Sequence, residues 1–306
     1  MRIVDSHVHL FDRISGITQG QPMRSDRHGR VLIGNHPYQQ LPPSFTNSDS
    51  RYETLLAYMD WCGISHGLLV PNPLYGYFNA YFMEAIQHAP ERLKGIALVD
   101  ILKGEAAARE LQTLYDTTPL FGLKIEVNST FQCAPDKHIL SDEVQPVLDC
   151  LNQNRQPLLI HMLHREDIQR VNVLKDRYPH ITWVLCHMGA DAFLGHGYDE
   201  DAYDEILTMV QSCPRIYLET STVLFYFDEE YPFPTARRII QRGYRRVGAD
   251  KMMWGSDYPG LLTRATMPQL IKLVAEECDE IPLADRETIL GKTAYRLFFE
   301  EEFRKA

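Results

Sequence analysis

The sequence predicts an α/β chain whose repeating units close into a (β/α)8 barrel. Two observations carry that expectation. Eight short apolar runs alternate with longer helix-like segments along the whole chain, and 306 residues suit a barrel of ~250 residues with insertions. The runs are Arg2–Asp5, His66–Pro71, Lys94–Val99, Phe121–Val127, Pro157–His161, Thr182–His187, Arg215–Thr220 and Met252–Ser256. Several are almost continuous in apolar residues, as expected of parallel strands covered on both faces. Eight units favour closure. Hydrophobic pattern alone does not encode closure, so an open doubly wound sheet is the alternative at this point.

Amphipathic segments near 51–63, 78–90, 104–116, 141–154, 166–178, 200–212, 235–248 and 267–279 separate the runs, with a closing helix near 285–302. Ser141-Asp142-Glu143 is expected to cap the fourth of them. No break in composition divides the chain, so residues 1–306 are expected to form one domain.

Two stretches interrupt the repeat. Residues 13–50 form a long polar connection after the first strand, rich in Gly, Pro, Ser and Arg. Such a connection belongs on the C-terminal face of a barrel, where barrel active sites lie, and is expected to act as a lid. Residues 221–234 are rich in aromatics and acids.

Charge and composition exclude several roles. The chain carries 31 Lys and Arg against 41 Asp and Glu, a net charge of −10. That balance opposes nucleic-acid binding, which needs basic surface to neutralise phosphates. No run approaches the ~20 apolar residues that span a bilayer. The first residues lack the apolar core of a signal peptide. Six cysteines without a CxxC pair suit reduced thiols in a cytoplasmic protein.

The strand ends carry the chemistry. Asp5-Ser6-His7-Val8-His9 closes the first run, and residues i and i+2 of a strand point the same way, so His7 and His9 aim two imidazoles at one point. The fifth run ends in His161, the sixth in His187, and the eighth is followed by Asp257. Each has a simpler use alone, as a hydrogen-bonded core histidine or a turn cap. A barrel would gather all of them around one cavity as a divalent-metal site with room for water.

In these runs the sequence resembles the amidohydrolase-related metal-dependent hydrolases. The resemblance rests on Ile3-Val4-Asp5-Ser6-His7-Val8-His9, Phe121-Gly122-Leu123-Lys124-Ile125, Leu159-Ile160-His161 and Leu185-Cys186-His187-Met188-Gly189. It continues in Tyr217-Leu218-Glu219-Thr220-Ser221, Trp254-Gly255-Ser256-Asp257-Tyr258-Pro259 and Ile289-Leu290-Gly291-Lys292-Thr293-Ala294. It implies a distorted (β/α)8 TIM barrel in which His7, His9, His161 and Asp257 hold one divalent metal, zinc first and manganese second. It also implies that Asp257 doubles as proton acceptor. His187 would polarise or protonate the substrate, or approach the metal.

Three features depart from the pattern. Thr293 stands where Asn is common, Glu126 follows Lys124 where some relatives have His, and the connection after strand one is long. Lys124 is expected to be a substrate-carboxylate or structural partner, with a carboxylated bridging lysine in a two-metal site as the alternative. Cys186 is expected to face away from His187 and so to be no nucleophile.

The expected reaction is hydrolysis of a small carboxylate-bearing or cyclic substrate, a lactone, ester or amide. Non-oxidative decarboxylation of an aromatic or unsaturated acid at the same site is the alternative. A metal-free lactonase and an inactive binding barrel are further from the pattern. Candidate substrate contacts are Lys124, Glu126, Arg24, Arg27, Tyr75, Tyr77 and His164. His28, Arg30, Arg51, Asn79, Tyr226, Phe227 and Phe233 stand behind them. A guanidinium in the lid could grip a carboxylate through two hydrogen bonds. The partner is then a small molecule, with neither nucleic acid nor membrane. Burial of the aromatic loops in a homo-oligomer is their other use.

Overall fold

The computed structural model describes residues 2–18 and 20–300. Its centre is a ring of eight parallel strands in sequence order. They are β1 (Ile3–Val8), β6 (Ile64–Leu69), β7 (Leu93–Ala97), β8 (Phe121–Glu126), β9 (Pro157–His161), β10 (Thr182–Leu185), β11 (Ile216–Glu219) and β12 (Met252–Met253). The ring closes where β12 returns to β1. Ser6 N donates to Trp254 O at 3.2 Å, His9 N donates to Tyr258 O at 2.7 Å, and Val8 bridges Tyr258 in parallel. Those bonds decide for the closed barrel over the open sheet.

Two apolar layers hold the ring. Inside it lie Val4, Leu68, Ile96, Leu159, Val184, Tyr217 and Met253, joined by Ala294, Leu297 and Phe298 of the C-terminal helix. That helix therefore plugs the lumen. Gly291 allows its approach, because a Cβ there would lie 2.1 Å from Arg2 O. The second layer packs strands against the surrounding helices and includes Leu55, Phe82, Leu111, Leu151, Trp183 and Tyr203. Burying a side chain of this size contributes ~1.5–3 kcal/mol, so the two layers dominate the stability.

The helices follow the predicted positions closely. They are α1 (Tyr52–Cys62), α2 (Asn79–His88), α3 (Glu105–Thr117), α4 (Val127–Phe131), α5 (Gln145–Gln153), α6 (Arg165–Arg177), α7 (Ala190–Leu194), α8 (Glu200–Ser212), α9 (Pro234–Val247), α10 (Met267–Lys272), α11 (Leu283–Glu287) and α12 (Thr293–Phe298). The expected closing helix is continuous from α11 to α12 through a π turn, Thr288–Lys292. Its expected residues 301–302 lie outside the described residues. Ser141 does stand at an N-cap position with Asp142 and Glu143 in the first turn, but of a 3₁₀ turn, Asp142–Val144, that leads into α5, and its Oγ accepts from His138 N instead of from that turn. Among the described residues no helix is long and apolar enough to cross a membrane.

The connection after β1 is more ordered than expected. It folds into an antiparallel meander of β2 (Ile17–Thr18), β3 (Gln21–Ser25), β4 (Arg30–Ile33) and β5 (His36–Gln39). Met23, Val31 and Leu41 are buried against the main core. Gln132, just after α4, ties the meander to the far side of the barrel mouth: it accepts from Gly20 N at 3.3 Å and donates to Ile17 O at 2.8 Å.

Candidate metal centre at the barrel mouth

Strand parity sets what faces the lumen. On β10, Val184 lies in the inner layer, and so does Cys186, two residues on. Continued extension would turn His187 outward. The strand instead stops at Leu185, and His187 and Met188 take left-handed backbone with φ of 57° and 58°, which brings His187 back to the mouth. The expected outward Cys186 is thus corrected. Its Sγ sits in the lumen and accepts from Lys124 Nζ at 3.1 Å. Burial first, and only partly offset by Lys124, pushes its thiol up to about 12, so it remains no nucleophile.

Left-handed backbone recurs at Thr222 (φ 65°) and Asp257 (φ 52°). Such conformations cost energy for residues with a Cβ and gather where function requires a particular side-chain direction. Gly255 is a further constraint: a Cβ there would lie 2.6 Å from Glu219 Oε1 and 2.8 Å from His7 Cβ.

The result is a cluster at the cavity floor. Ligand atoms of His7, His187 and Asp257 all lie within 4.8 Å of one another. His9 Nε2 is 3.0 Å from Asp257 Oδ1, and the His7 and His9 rings are 4.9 Å apart. Each imidazole is anchored through Nδ1. His7 Nδ1 pairs with Glu219 Oε2 at 2.9 Å, and His9 Nδ1 donates to Val70 O at 2.6 Å. His187 Nδ1 meets Ser221 Oγ at 2.7 Å. Ser221 spends its proton on Glu219 Oε2 at 2.8 Å, so it accepts from His187. His7 Nε2 has no hydrogen-bond partner although it is fully buried. An orphaned buried nitrogen is costly, and a divalent ion between it and Asp257 would relieve that cost. The donor set of imidazole nitrogen and carboxylate oxygen suits zinc or a related ion.

His161 is placed differently. Its Nδ1 faces Glu126 Oε1 and its Nε2 faces Asp191 Oδ2. Burial works to lower its pKa, but Glu126 and Asp191 outweigh burial and raise it to about 10. Burial likewise disfavours the Glu126 carboxylate, yet His161 and Lys124 hold it down at about 2. Asp257 is also kept ionised: burial opposes its charge, and the His9 hydrogen bond with the His187, His9 and His7 rings more than compensates. Burial, then the neighbouring His161 and His7, depresses the pKa of His187 well below the usual imidazole value.

Above the cluster lies a cavity of about 280 Å³. Its wall includes Glu126, His161, Tyr75, Asn72, Asn128 and Phe225, and the meander contributes Thr18, Tyr38 and Gln39. Tyr75 stacks on Phe11 at 4.5 Å and meets His9 edge-on at 5.2 Å. Other expected contacts are corrected. Arg24 and Arg27 are exposed on the meander, Tyr77 is exposed beyond β6, and His164 is exposed beside His196 at the start of α6. None of the four lines the cavity. Asn79 instead holds Leu98 through both backbone groups, and Phe233 is buried in the core. Arg30 and Arg51 pair with Asp26 and Asp49. Lys124 lies beneath the cavity, 3.4 Å from Glu126 Oε2.

Glu219, Asp191, Ser221 and Thr222 were not among the expected site residues. Glu219 ends a strand run as His161 does, so the same rule could have found it. Asp191 lies beyond a strand end in a short helix and left no periodic signal.

A sequence model of the amidohydrolase family matches residues 4–299. No curated protein sequence matches significantly. Solved structures do. A probable 2-pyrone-4,6-dicarboxylic acid hydrolase from Acinetobacter baumannii superposes with TM-score 0.71 at 19% identity, covering 97% of this chain and 99% of that one. A zinc-bound amidohydrolase from Burkholderia multivorans gives 0.72 at 15% identity, covering 97% and 98%. A 5-carboxyvanillate decarboxylase from Sphingomonas paucimobilis gives 0.65 at 17% identity, covering 97% and 98%. With a family match across nearly its whole length and the barrel to go with it, the chain belongs to the amidohydrolase family.

Proposed function

We propose that the protein is a metal-dependent hydrolase of a small cyclic ester or amide. The observation that carries this reading is the orphaned, fully buried His7 Nε2 beside His187 and Asp257 at the floor of a small cavity. Zinc is the favoured ion, with manganese second, and the zinc-bound structural neighbour supports that order. Bound there, a divalent ion would supply Lewis acidity to a carbonyl and lower the pKa of water.

The chain's own residues supply the rest. Asp257 is an ionised carboxylate at the cavity wall, suited to take a proton from the attacking water and return it to the leaving group. Thr222 Oγ1 donates to Asp257 Oδ2 at 2.7 Å and fixes the carboxylate's direction. Tyr75 and Phe225 give the wall an aromatic lining, and the meander, read as a lid, limits water. Among the described residues no Arg or Lys lines the cavity, so the guanidinium grip on a carboxylate has no counterpart in this part of the wall. That favours an uncharged lactone, ester or amide over a carboxylate-bearing substrate.

The test is product analysis on panels of lactones, cyclic amides and aromatic carboxylic acids in ¹⁸O-labelled water. Incorporation of one labelled oxygen into an opened lactone or amide is expected. Release of carbon dioxide without labelled product would replace hydrolysis by decarboxylation.

A further inference from the structure

The barrel closes at its least regular seam. β12 spans only Met252–Met253, and the backbone that follows it meets β1 without a continuous ladder. Buried amides there still need acceptors. Side chains of β1 take part in the seam. Ser6 Oγ donates to Trp254 O at 2.7 Å, and Asp5 Oδ1 accepts from Ser256 N at 2.8 Å. The same Asp5 oxygen accepts from His7 N at 3.2 Å, and the register of β1 against β6 shifts between Asp5 and Val8. Asp5 is fully buried, its Oδ2 has no hydrogen-bond partner, and it does not line the cavity.

One oxygen thus joins the strand that carries His7 to the turn that carries Asp257. Ser256 extends the grip, because its Oγ accepts from Tyr258 N at 3.0 Å. The amides on both sides of Asp257 are therefore pinned. Between them Asp257 takes left-handed backbone, φ 52°. A residue with a Cβ keeps such backbone only where its surroundings over-determine it. Thr222 and His9 hold the Asp257 carboxylate, and Asp5 with Ser256 holds the backbone behind it.

We infer that Asp5 is a positioning residue: by accepting from the amides of His7 and Ser256, its one bonded oxygen sets the spacing of His7 and Asp257 at the cavity floor. His7 Nε2 and Asp257 Oδ1 stand 3.9 Å apart, and a shift of either backbone changes that distance directly. The consequence for a metal rests on the metal-dependent reading above, whereas the pinning of the two amides does not. Asp5→Asn keeps an acceptor oxygen in the place of Oδ1 and alters only the atom that has no partner. Asp5→Ala removes the acceptor.

The test is residue-resolved amide hydrogen exchange in the full chain without metal, followed by zinc titration. Trp183 N in β10, which donates to Arg215 O at 2.8 Å, reports global opening. Asp5→Ala is expected to speed exchange of the Ser256 amide at least ~10-fold relative to Trp183, and Asp5→Asn to leave it within about threefold of wild type. Zinc affinity is expected to fall ~10–100-fold in Asp5→Ala and to stay within about threefold of wild type in Asp5→Asn. Should Asp5→Ala fail to fold, Ser256→Ala carries the test: it removes the acceptor of Tyr258 N, and exchange of that amide should rise at least ~10-fold with Trp183 unchanged. Amides that keep their wild-type protection in these variants, Asp5→Asn that behaves as Asp5→Ala does, or a freed Ser256 amide with wild-type zinc affinity would overturn the inference. Wild type that binds no zinc would overturn the metal-dependent reading alone, and the exchange rates would still decide whether Asp5 pins the two elements.

Discussion

The wall of the mouth built by β1, β11 and β12 differs from the facing wall built by β8 and β9. On the first, Glu219 accepts from His7, from Ser221 and from the backbone N–H of His187 at 3.2 Å, and His7 keeps a buried Nε2 without a hydrogen-bond partner. On the second, His161 is saturated by Glu126 and Asp191. The same side chain thus leaves a ring nitrogen free on one wall and has both ring nitrogens against carboxylates on the other. What separates them is how many acceptors the neighbouring strand ends supply. His7 meets one acceptor, Glu219, whereas His161 meets two, Glu126 and Asp191.

Substitutions can break or sharpen that contrast. The largest effect is expected from Asp257→Asn, which removes the proton acceptor and should lower kcat/KM by ~10²–10⁴-fold in steady-state kinetics. Glu219→Gln comes next. It weakens the anchor behind His7 and His187 without touching the cavity, and should cost ~10–100-fold in zinc affinity by calorimetry. Thr222→Val removes one hydrogen bond to Asp257 and should lower kcat about fivefold, with KM unchanged. Arg24→Ala and Arg27→Ala should leave kcat/KM within about twofold and stability within ~0.5 kcal/mol, because both side chains are exposed and outside the cavity. A large loss of substrate affinity in either arginine variant would restore the carboxylate grip expected from sequence.

The barrel was legible because its strands are buried on both faces and end in functional side chains. Pro157–His161 matches the expected run to the residue, and His7, His9, His187 and Asp257 do converge. The meander was not legible. Its strands are two to five residues long, β5 is exposed throughout, and prolines at 22 and 37 interrupt it, so no alternation marks it. Loop direction was equally hidden: nothing in the order of residues says that Tyr75 turns inward and Tyr77 outward. Parity misplaced Cys186 because the left-handed turn at His187 inverts the alternation just where the strand ends. Asp191 pairs with His161 across 30 positions of sequence, a contact that only the folded barrel creates.

The most direct measurement is metal content by elemental analysis of wild type, His7→Ala and Asp257→Ala. About one zinc or manganese per wild-type chain, lost in both variants, is the expected result. Wild type that carries no metal as prepared, and takes up none when zinc or manganese is added, would contradict a metal-dependent hydrolase.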